Sequence, residues 1–253
     1  MLRAGRVLVD GQPATKASLR VSPATELAVS AGEHPDYVGR GALKLAGLLD
    51  ELAGSGAAPR VHARRCLDAG ASTGGFTQVL LQRGASEVLA VDVGHDQLAA
   101  PLRADPRVQD LAGTTVRGLS AEAIGGPVGL LVADLSFISL QVVLADLVAL
   151  VDAYADLVLL AKPQFEVGRD RLGSGGVVRQ PALRVSAVAA VARAGLALGL
   201  RLHAVRASRW PGPSGNVEYF LWMSRGTSRA AAAEVGGDAV EQTVADAVAQ
   251  GPS

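Results

Sequence analysis

Apolar residues in this chain recur in two rhythms, and the rhythms alternate. Leu45, Leu48, Leu49 and Leu52 fall at helical spacing within residues 41–53, and Gly54-Ser55-Gly56 closes that segment. Strands are predicted at Arg65 to Asp68, Glu87 to Asp92, Val128 to Asp134 and Leu157 to Ala161. Helices are predicted over Phe76 to Arg83, Gln97 to Arg103, Leu140 to Val151 and Ala182 to Leu198. Two strands, Arg201 to Ala207 and Val217 to Met223, close the series with no helix between them. The alternation predicts an α/β fold, with a mostly parallel sheet, helices on both faces and an antiparallel edge pair.

The ends follow other patterns. Val7 to Val9 lead into Asp10-Gly11, a hairpin-turn pair, and short apolar segments follow at Leu19 to Val21 and Leu27 to Val29. Residues 1–30 carry a basic bias through Arg3, Arg6, Lys16 and Arg20, and are too few to bury a core alone. Residues 31–39 read as a linker, 40–225 as the main domain, and 226–253 as an Ala-rich tail that is helical in part.

Composition narrows the function classes. Hydrophobic residues are 49% and charged residues 19%, a globular balance. The net charge is zero, so nucleic-acid binding would have to rest on local basic patches. A single cysteine, Cys66, rules out an internal disulfide, reads as a buried strand residue, and leaves no basis for a thiolate metal site. The longest stretch without a charge runs from Ala69 to Gln82 and is rich in Gly, Ser and Thr, which predicts no membrane span and a cytoplasmic protein.

Candidate chemistry begins at the first strand-to-helix turn, Asp68-Ala69-Gly70-Ala71-Ser72-Thr73-Gly74-Gly75-Phe76. Ligands of such sheets bind at the carboxyl ends of the strands, where glycines admit close backbone approach and a helix terminus offers free N–H groups. The spacing Gly-x-x-x-Gly-Gly departs from the dinucleotide pattern and suits a methionine-bearing cofactor. Asp92, ending the next strand beside Val93, can accept hydrogen bonds from ribose hydroxyls. Asp134 and Lys162 end two further strands at the same sheet edge, each interrupting an apolar run where an unpaired charge is costly. Lys44 and Glu218 read, from the residues alone, as surface charges.

Five blocks give those four charges a common meaning: Arg40-Gly-Ala-Leu-Lys44-Leu, Leu67-Asp-Ala-Gly-Ala-Ser-Thr-Gly-Gly-Phe-Thr77, Ala133-Asp-Leu-Ser-Phe-Ile-Ser139, Lys162-Pro-Gln-Phe-Glu-Val-Gly168 and Gly212-Pro-Ser-Gly-Asn-Val-Glu-Tyr-Phe220. In this order they resemble the TlyA (haemolysin A) family over residues 1–224. That family is similar to FtsJ-type ribose methyltransferases. The resemblance implies a Rossmann-like class I methyltransferase domain using S-adenosyl-L-methionine, with a Lys-Asp-Lys-Glu tetrad at Lys44, Asp134, Lys162 and Glu218. It implies cytidine 2'-hydroxyls of ribosomal RNA, free or in subunits, as substrate. It also implies an amino-terminal RNA-binding domain of the ribosomal protein S-four type, of which residues 1–30 match the second half.

A ribose hydroxyl is a weak nucleophile until deprotonated, while a sulfonium methyl is already activated, so in-line placement and a base suffice. Lys162 is the expected base, with Lys44 and Glu218 orienting the hydroxyl and Asp134 steering Lys162 beside the cofactor. Asp110 and Leu111 are expected at the adenine, although this stretch lacks the Glu and Asn that relatives often show. Arg3, Arg6, Arg20, Arg40, Arg169 and Arg171 are the expected RNA contacts; the last two lie in a Gly-rich loop, 168–178, that reads equally as a closing loop or a connector. Arg201, Arg206, Arg209 and Trp210 read as a solvated edge or, less readily, as more RNA surface. Three other functions are weighed: a membrane-active haemolysin, a methyltransferase for a small molecule or protein, and an RNA-binding module without catalysis.

Overall fold

The computed structural model describes residues 7–14, 16, 18–29, 36–212, 214–226 and 233–252. The backbone divides into two compact units, residues 1–37 and 38–253.

The first unit is a three-stranded antiparallel sheet of order β2-β1-β3, built from β1 (Val7–Val9), β2 (Gln12–Pro13) and β3 (Leu27–Val29). The predicted hairpin forms. Asp10 and Gly11 both take positive φ, +48° and +75°, as a tight turn that follows the strand twist requires. The Asp10 carboxylate also accepts the Glu26 N–H at 2.9 Å, tying β3 to the turn. Leu19 and Val21 form no strand and stay exposed.

The second unit opens with helix α1 (Arg40–Gly54), whose Leu45, Leu48, Leu49 and Leu52 are all buried. Then come β4 (Arg65–Ala69), α2 (Gly75–Gln82), β5 (Glu87–Asp92), the short α3 (Ala100–Arg103), β6 (Val108–Ala112), β7 (Val128–Ala133) and α4 (Leu140–Ala149). They are followed by β8 (Val151–Ala161), the single turn α5 (Pro163–Glu166), α6 (Pro181–Ala197), β9 (Leu200–Ala207), β10 (Tyr219–Arg225) and α7 (Val240–Gln250). The sheet order is β6-β5-β4-β7-β8-β10-β9. β10 therefore does not merely follow β9 at the edge. It inserts between β8 and β9 and runs antiparallel to both.

Alternate strand residues serve opposite faces. Leu67, Leu89, Leu131 and Leu157 join one apolar cluster with α4, α6 and α7. The intervening Cys66, Val88, Leu130 and Val158 are equally buried. α1 and α2 pack on each other. α7 packs on α6 and β9, so part of the expected tail belongs to the domain.

β6 and β8 also differ from expectation. β6 was not predicted, because Val108-Gln-Asp-Leu-Ala112 is half polar; it pairs only with β5 and needs little burial. β8 begins at Val151 rather than Leu157, because Asp152 to Tyr154 are a solvent-facing extension of the strand without apolar signal.

The glycine turn depends on close helix approach. A Cβ on Gly75 would lie 2.8 Å from the Ala42 backbone nitrogen of α1, and backbone cannot move aside as a flexible side chain can. Gly75→Ala is therefore expected to destabilise the fold by about 1–3 kcal/mol, read by chemical denaturation.

Candidate active site

Strand register brings the charged residues together. Tyr219 of β10 pairs with Ala161 of β8, so Glu218 and Lys162, one step beyond, stand at neighbouring positions of the two strands. β7 ends beside β4, and Asp134 donates its N–H to Ala69 O at 2.9 Å, which sets Asp134 against the glycine turn. Lys44 arrives from α1, whose first turn lies close by: a Cβ on Gly41 would sit 3.8 Å from Asp134 Oδ2.

The four charges form two ion pairs. Lys44 Nζ donates to Glu218 Oε2 at 2.5 Å, with Lys44 8% and Glu218 1% exposed. Lys162 Nζ lies 2.7 Å from Asp134 Oδ1, yet off the hydrogen-bonding direction; its directed bond goes to Ser136 Oγ at 2.8 Å. Asp134 Oδ1 thus remains a buried acceptor without a directed donor. Gly212 is needed beside the first pair, since a Cβ there would sit 2.5 Å from Glu218 Oε1.

Two cavities adjoin this cluster and share Gly70, Ser72 and Asp134. The larger, about 440 Å³, is lined by Val91, Asp92, Val93, Thr114 to Arg117 and Leu135 to Ile138 among others. The smaller, about 130 Å³, lies between the glycine turn and the start of α1, with Arg40, Thr73, Gly75 and Phe76 in its wall. Gly70 sits at φ +84°, and a Cβ there would collide with Asp134 O at 2.7 Å, so glycine is required where the cavities meet. The floor holds Asp92, whose carboxylate accepts the N–H groups of Ser72 (2.9 Å) and Gly94 (2.7 Å).

Most predicted cofactor residues line these cavities: Gly70, Ala71, Ser72, Thr73, Gly75, Phe76, Asp92, Val93 and Asp134. Gly74 lies behind the turn, at φ +93°, where a Cβ would strike Leu98 and Leu102. Asp110 and Leu111 line neither cavity; they belong to β6, and Thr114 to Arg117, in the segment that follows, line the larger one. Asp68 also lines neither. It is fully buried and accepts Thr77 Oγ1 at 2.7 Å, with its Oδ1 unpartnered.

Of the predicted RNA contacts, Arg3 and Arg6 lie outside the described residues, as does the Arg169 side chain. Arg20, Arg40 and Arg171 are exposed. The Gly-rich loop is pinned at its far end by buried Asn216, which accepts Val178 N–H at 2.9 Å and donates to Gly176 O at 3.0 Å. Arg206 and Arg209 both bind Glu51, and Arg201 binds Glu234, which favours the edge-strand reading for that group.

Sequence reasoning missed Phe137. It is 91% exposed, holds φ +64°, lines the larger cavity, and its ring centroid lies 5.5 Å from that of Phe165. A bulky residue with positive φ is costly and persists where its surroundings over-determine it. A second missed signal was countable: of 24 basic residues only Lys16, Lys44 and Lys162 are lysines, and two of the three are here. Arginine cannot give up its proton near neutral pH; lysine can.

A family model described as FtsJ-like methyltransferase matches residues 37–225. The chain belongs to that family. Within the FtsJ-like methyltransferases it falls in the TlyA group: it is 53% identical over 252 residues, all of this chain and 91% of the relative, to the 16S/23S rRNA (cytidine-2'-O)-methyltransferase TlyA of Mycobacterium tuberculosis. The 23S rRNA (cytidine-2'-O)-methyltransferase TlyA of Campylobacter jejuni is 36% identical over 74% of this chain and 70% of its own length. A provisionally named hemolysin from Streptococcus thermophilus superposes with TM-score 0.78 at 32% identity, over 97% of this chain and 87% of that one. An S-adenosylmethionine dependent methyltransferase from Mesorhizobium loti shares the fold alone, with TM-score 0.51 at 13% identity over 72% of this chain and all of that one.

Burial raises the Asp68 carboxyl from 3.8 to about 7; its Thr77 bond opposes the shift, and the Asp134 and Asp92 charges add to it. A carboxyl that holds its proton more tightly folded than unfolded makes stability fall as pH rises from 3.8 towards 7. Asp68→Asn is expected to flatten that fall and to raise the denaturation midpoint at about pH 8 relative to wild type, measured across a pH series.

Proposed function

We propose that this FtsJ-like methyltransferase uses S-adenosyl-L-methionine to methylate the ribose 2'-hydroxyl of a cytidine in ribosomal RNA. The observation that carries the reading is the convergence of Lys44, Asp134, Lys162 and Glu218 as two shielded ion pairs beside a glycine-walled cavity. Relatives named for cytidine 2'-O-methylation of rRNA support the substrate.

The residues present fit the cofactor. Gly70, Ser72 and Asp134 join a larger cavity, sized for the adenosine, to a smaller one that suits the amino-acid end. Asp92 is the acid for the ribose hydroxyls, Thr114 to Arg117 wall the base, and Asp134 Oδ1, ion-paired with Lys162 but without a directed hydrogen bond, can accept one more donor. When bound, S-adenosyl-L-methionine supplies an activated methyl on a sulfonium that leaves as a neutral thioether.

The chain's own residues supply the rest. Lys162, once neutral, takes the 2'-hydroxyl proton on Nζ, and Ser136 and Asp134 fix where Nζ lies. Glu218 holds Lys44 at the same edge, so that Lys44 donates to the ribose oxygen as negative charge develops there. Phe137 offers an exposed ring at the mouth, on which an unstacked base can lie. Arg40 and Arg171, with Arg20 of the first unit, serve RNA phosphates, and the first unit is the RNA-binding module. Among the described residues no helix is long and apolar enough to cross a membrane; an rRNA substrate supports a cytoplasmic location for the enzyme.

Labelled cofactor, purified ribosomal subunits and nucleotide mapping test the reading directly. Lys162→Ala and Lys162→Arg are both expected to slow transfer by roughly 10²–10⁴-fold, since neither side chain can accept the proton. Near wild-type methylation by either would overturn the assignment. Phe137→Ala is expected to weaken kcat/KM for RNA by about tenfold, from the roughly 1–3 kcal/mol of a stacked base, with cofactor affinity unchanged by calorimetry.

A further inference from the structure

Glu166 belongs to the Lys162-Pro163-Gln164-Phe165-Glu166 block, yet nothing above uses it. It stands at the end of the single turn α5, four residues after Lys162. Its carboxylate collects three hydrogen bonds: from Ser139 Oγ at 2.5 Å, Leu140 N–H at 2.7 Å and Gln141 Nε2 at 3.0 Å. All three donors lie at the start of α4, 25 to 27 residues away in sequence.

Helix capping alone does not account for this arrangement. Ser139 already occupies the N-cap position and accepts the Gln141 N–H at 3.2 Å. What Glu166 adds is a tie between two loops. The loop after β7 carries Asp134, Ser136 and Phe137; the turn after β8 carries Lys162 and Phe165. Three rungs join them. Lys162 meets Asp134 and Ser136 at one end, the Phe137 and Phe165 rings meet in the middle, and Glu166 meets Ser139 to Gln141 at the other end. The strained φ of Phe137 falls between the outer rungs, where a free loop would relax it. A negative charge at a helix amino terminus is also electrostatically favoured, so the outer rung holds without strain of its own.

We infer that Glu166 is a positioning residue: it holds the Lys162 turn in register with the Asp134-to-Ser139 loop, and so sets where Lys162 Nζ and the Phe137 ring lie. The inference rests on the proposed methyl transfer for its kinetic consequence, but not for its geometric one.

The test uses the full chain with Glu166→Ala, Glu166→Gln and Glu166→Asp. The chain's three lysines make acylation by acetic anhydride, read by mass spectrometry, a direct report on Lys162. Exposed Lys16 marks full reactivity, and Lys44, buried on α1 against Glu218, marks general loosening. In Glu166→Ala, Lys162 labelling is expected to rise about fivefold or more with Lys44 unchanged, since a freed turn loosens the amine from Asp134, Ser136 and the Phe165 ring. Methyl transfer under saturating substrates is expected to fall about 10–100-fold with the cofactor KM within about threefold, the signature of misplacement rather than lost binding. Glu166→Gln keeps an acceptor for the Leu140 N–H at full reach and restores most of both readouts. Glu166→Asp keeps the charge, falls short of α4, and does not.

Unchanged Lys162 labelling in Glu166→Ala would overturn the inference. So would Lys44 and Lys162 becoming reactive together, which marks a purely structural role. Should the wild-type chain fail to methylate RNA, the proposed function falls, and the labelling arm still decides the role of Glu166.

Discussion

Lys44, Lys162 and Glu218 are held nearly out of water at one edge of the sheet, with the half-buried Asp134 beside them, and none of the three could stay there unpaired. Removing one partner of a shielded pair leaves an uncompensated charge, so Lys44 depends on Glu218 and Lys162 on Asp134. Strand register makes the arrangement possible. Because β10 runs antiparallel beside β8, the residue that precedes one strand faces the residue that follows the other, and Glu218 meets Lys162 by topology rather than by a flexible reach. The cavity, the glycine turn and the aromatic mouth are arranged around this edge.

The glycine turn answers a different demand. Gly70 leaves room for the Asp134 backbone, Gly74 for Leu98 and Leu102, and Gly75 for the first turn of α1. Each is a place where main chain or packed side chains approach too closely for a Cβ. The pattern Gly-x-x-x-Gly-Gly is thus as much a packing constraint between β4, α1 and α2 as a ligand cradle, and the two roles coincide because the ligand space opens where the elements converge.

The central strands and the helices were readable in the sequence because each buries a face, and burial writes a period into the residues. β6 was not, since an edge strand with one neighbour can remain polar. Nor was the insertion of β10 between β8 and β9, because pairing order leaves no trace in local pattern. At the site, Asp134 and Lys162 stood out as charges interrupting apolar strands. Lys44 and Glu218 did not, because burial against each other looks, in sequence, like two ordinary surface charges; only resemblance joined them. Asp110 and Leu111 were placed at the adenine by resemblance; they lie in β6, and the larger cavity is lined by Thr114 to Arg117, after that strand has ended. Phe137 was invisible because an aromatic residue after a strand reads as core, and only its backbone conformation turns it outward.

The insertion of β10 also bears on how the molecule comes into being. Lys44 and Glu218 are separated by 174 positions, and the strand that delivers Glu218 is the last of the sheet to be made. During synthesis, the glycine turn and five neighbouring strands can emerge and pair while the carboxylate partner of Lys44 has yet to leave the ribosome. Until then β8 and β9 lack their shared neighbour. Closure of the sheet and completion of the proposed catalytic cluster are therefore one event, and a nascent or carboxyl-terminally truncated chain that stops before residue 218 would be unfinished in fold and would lack the partner of Lys44.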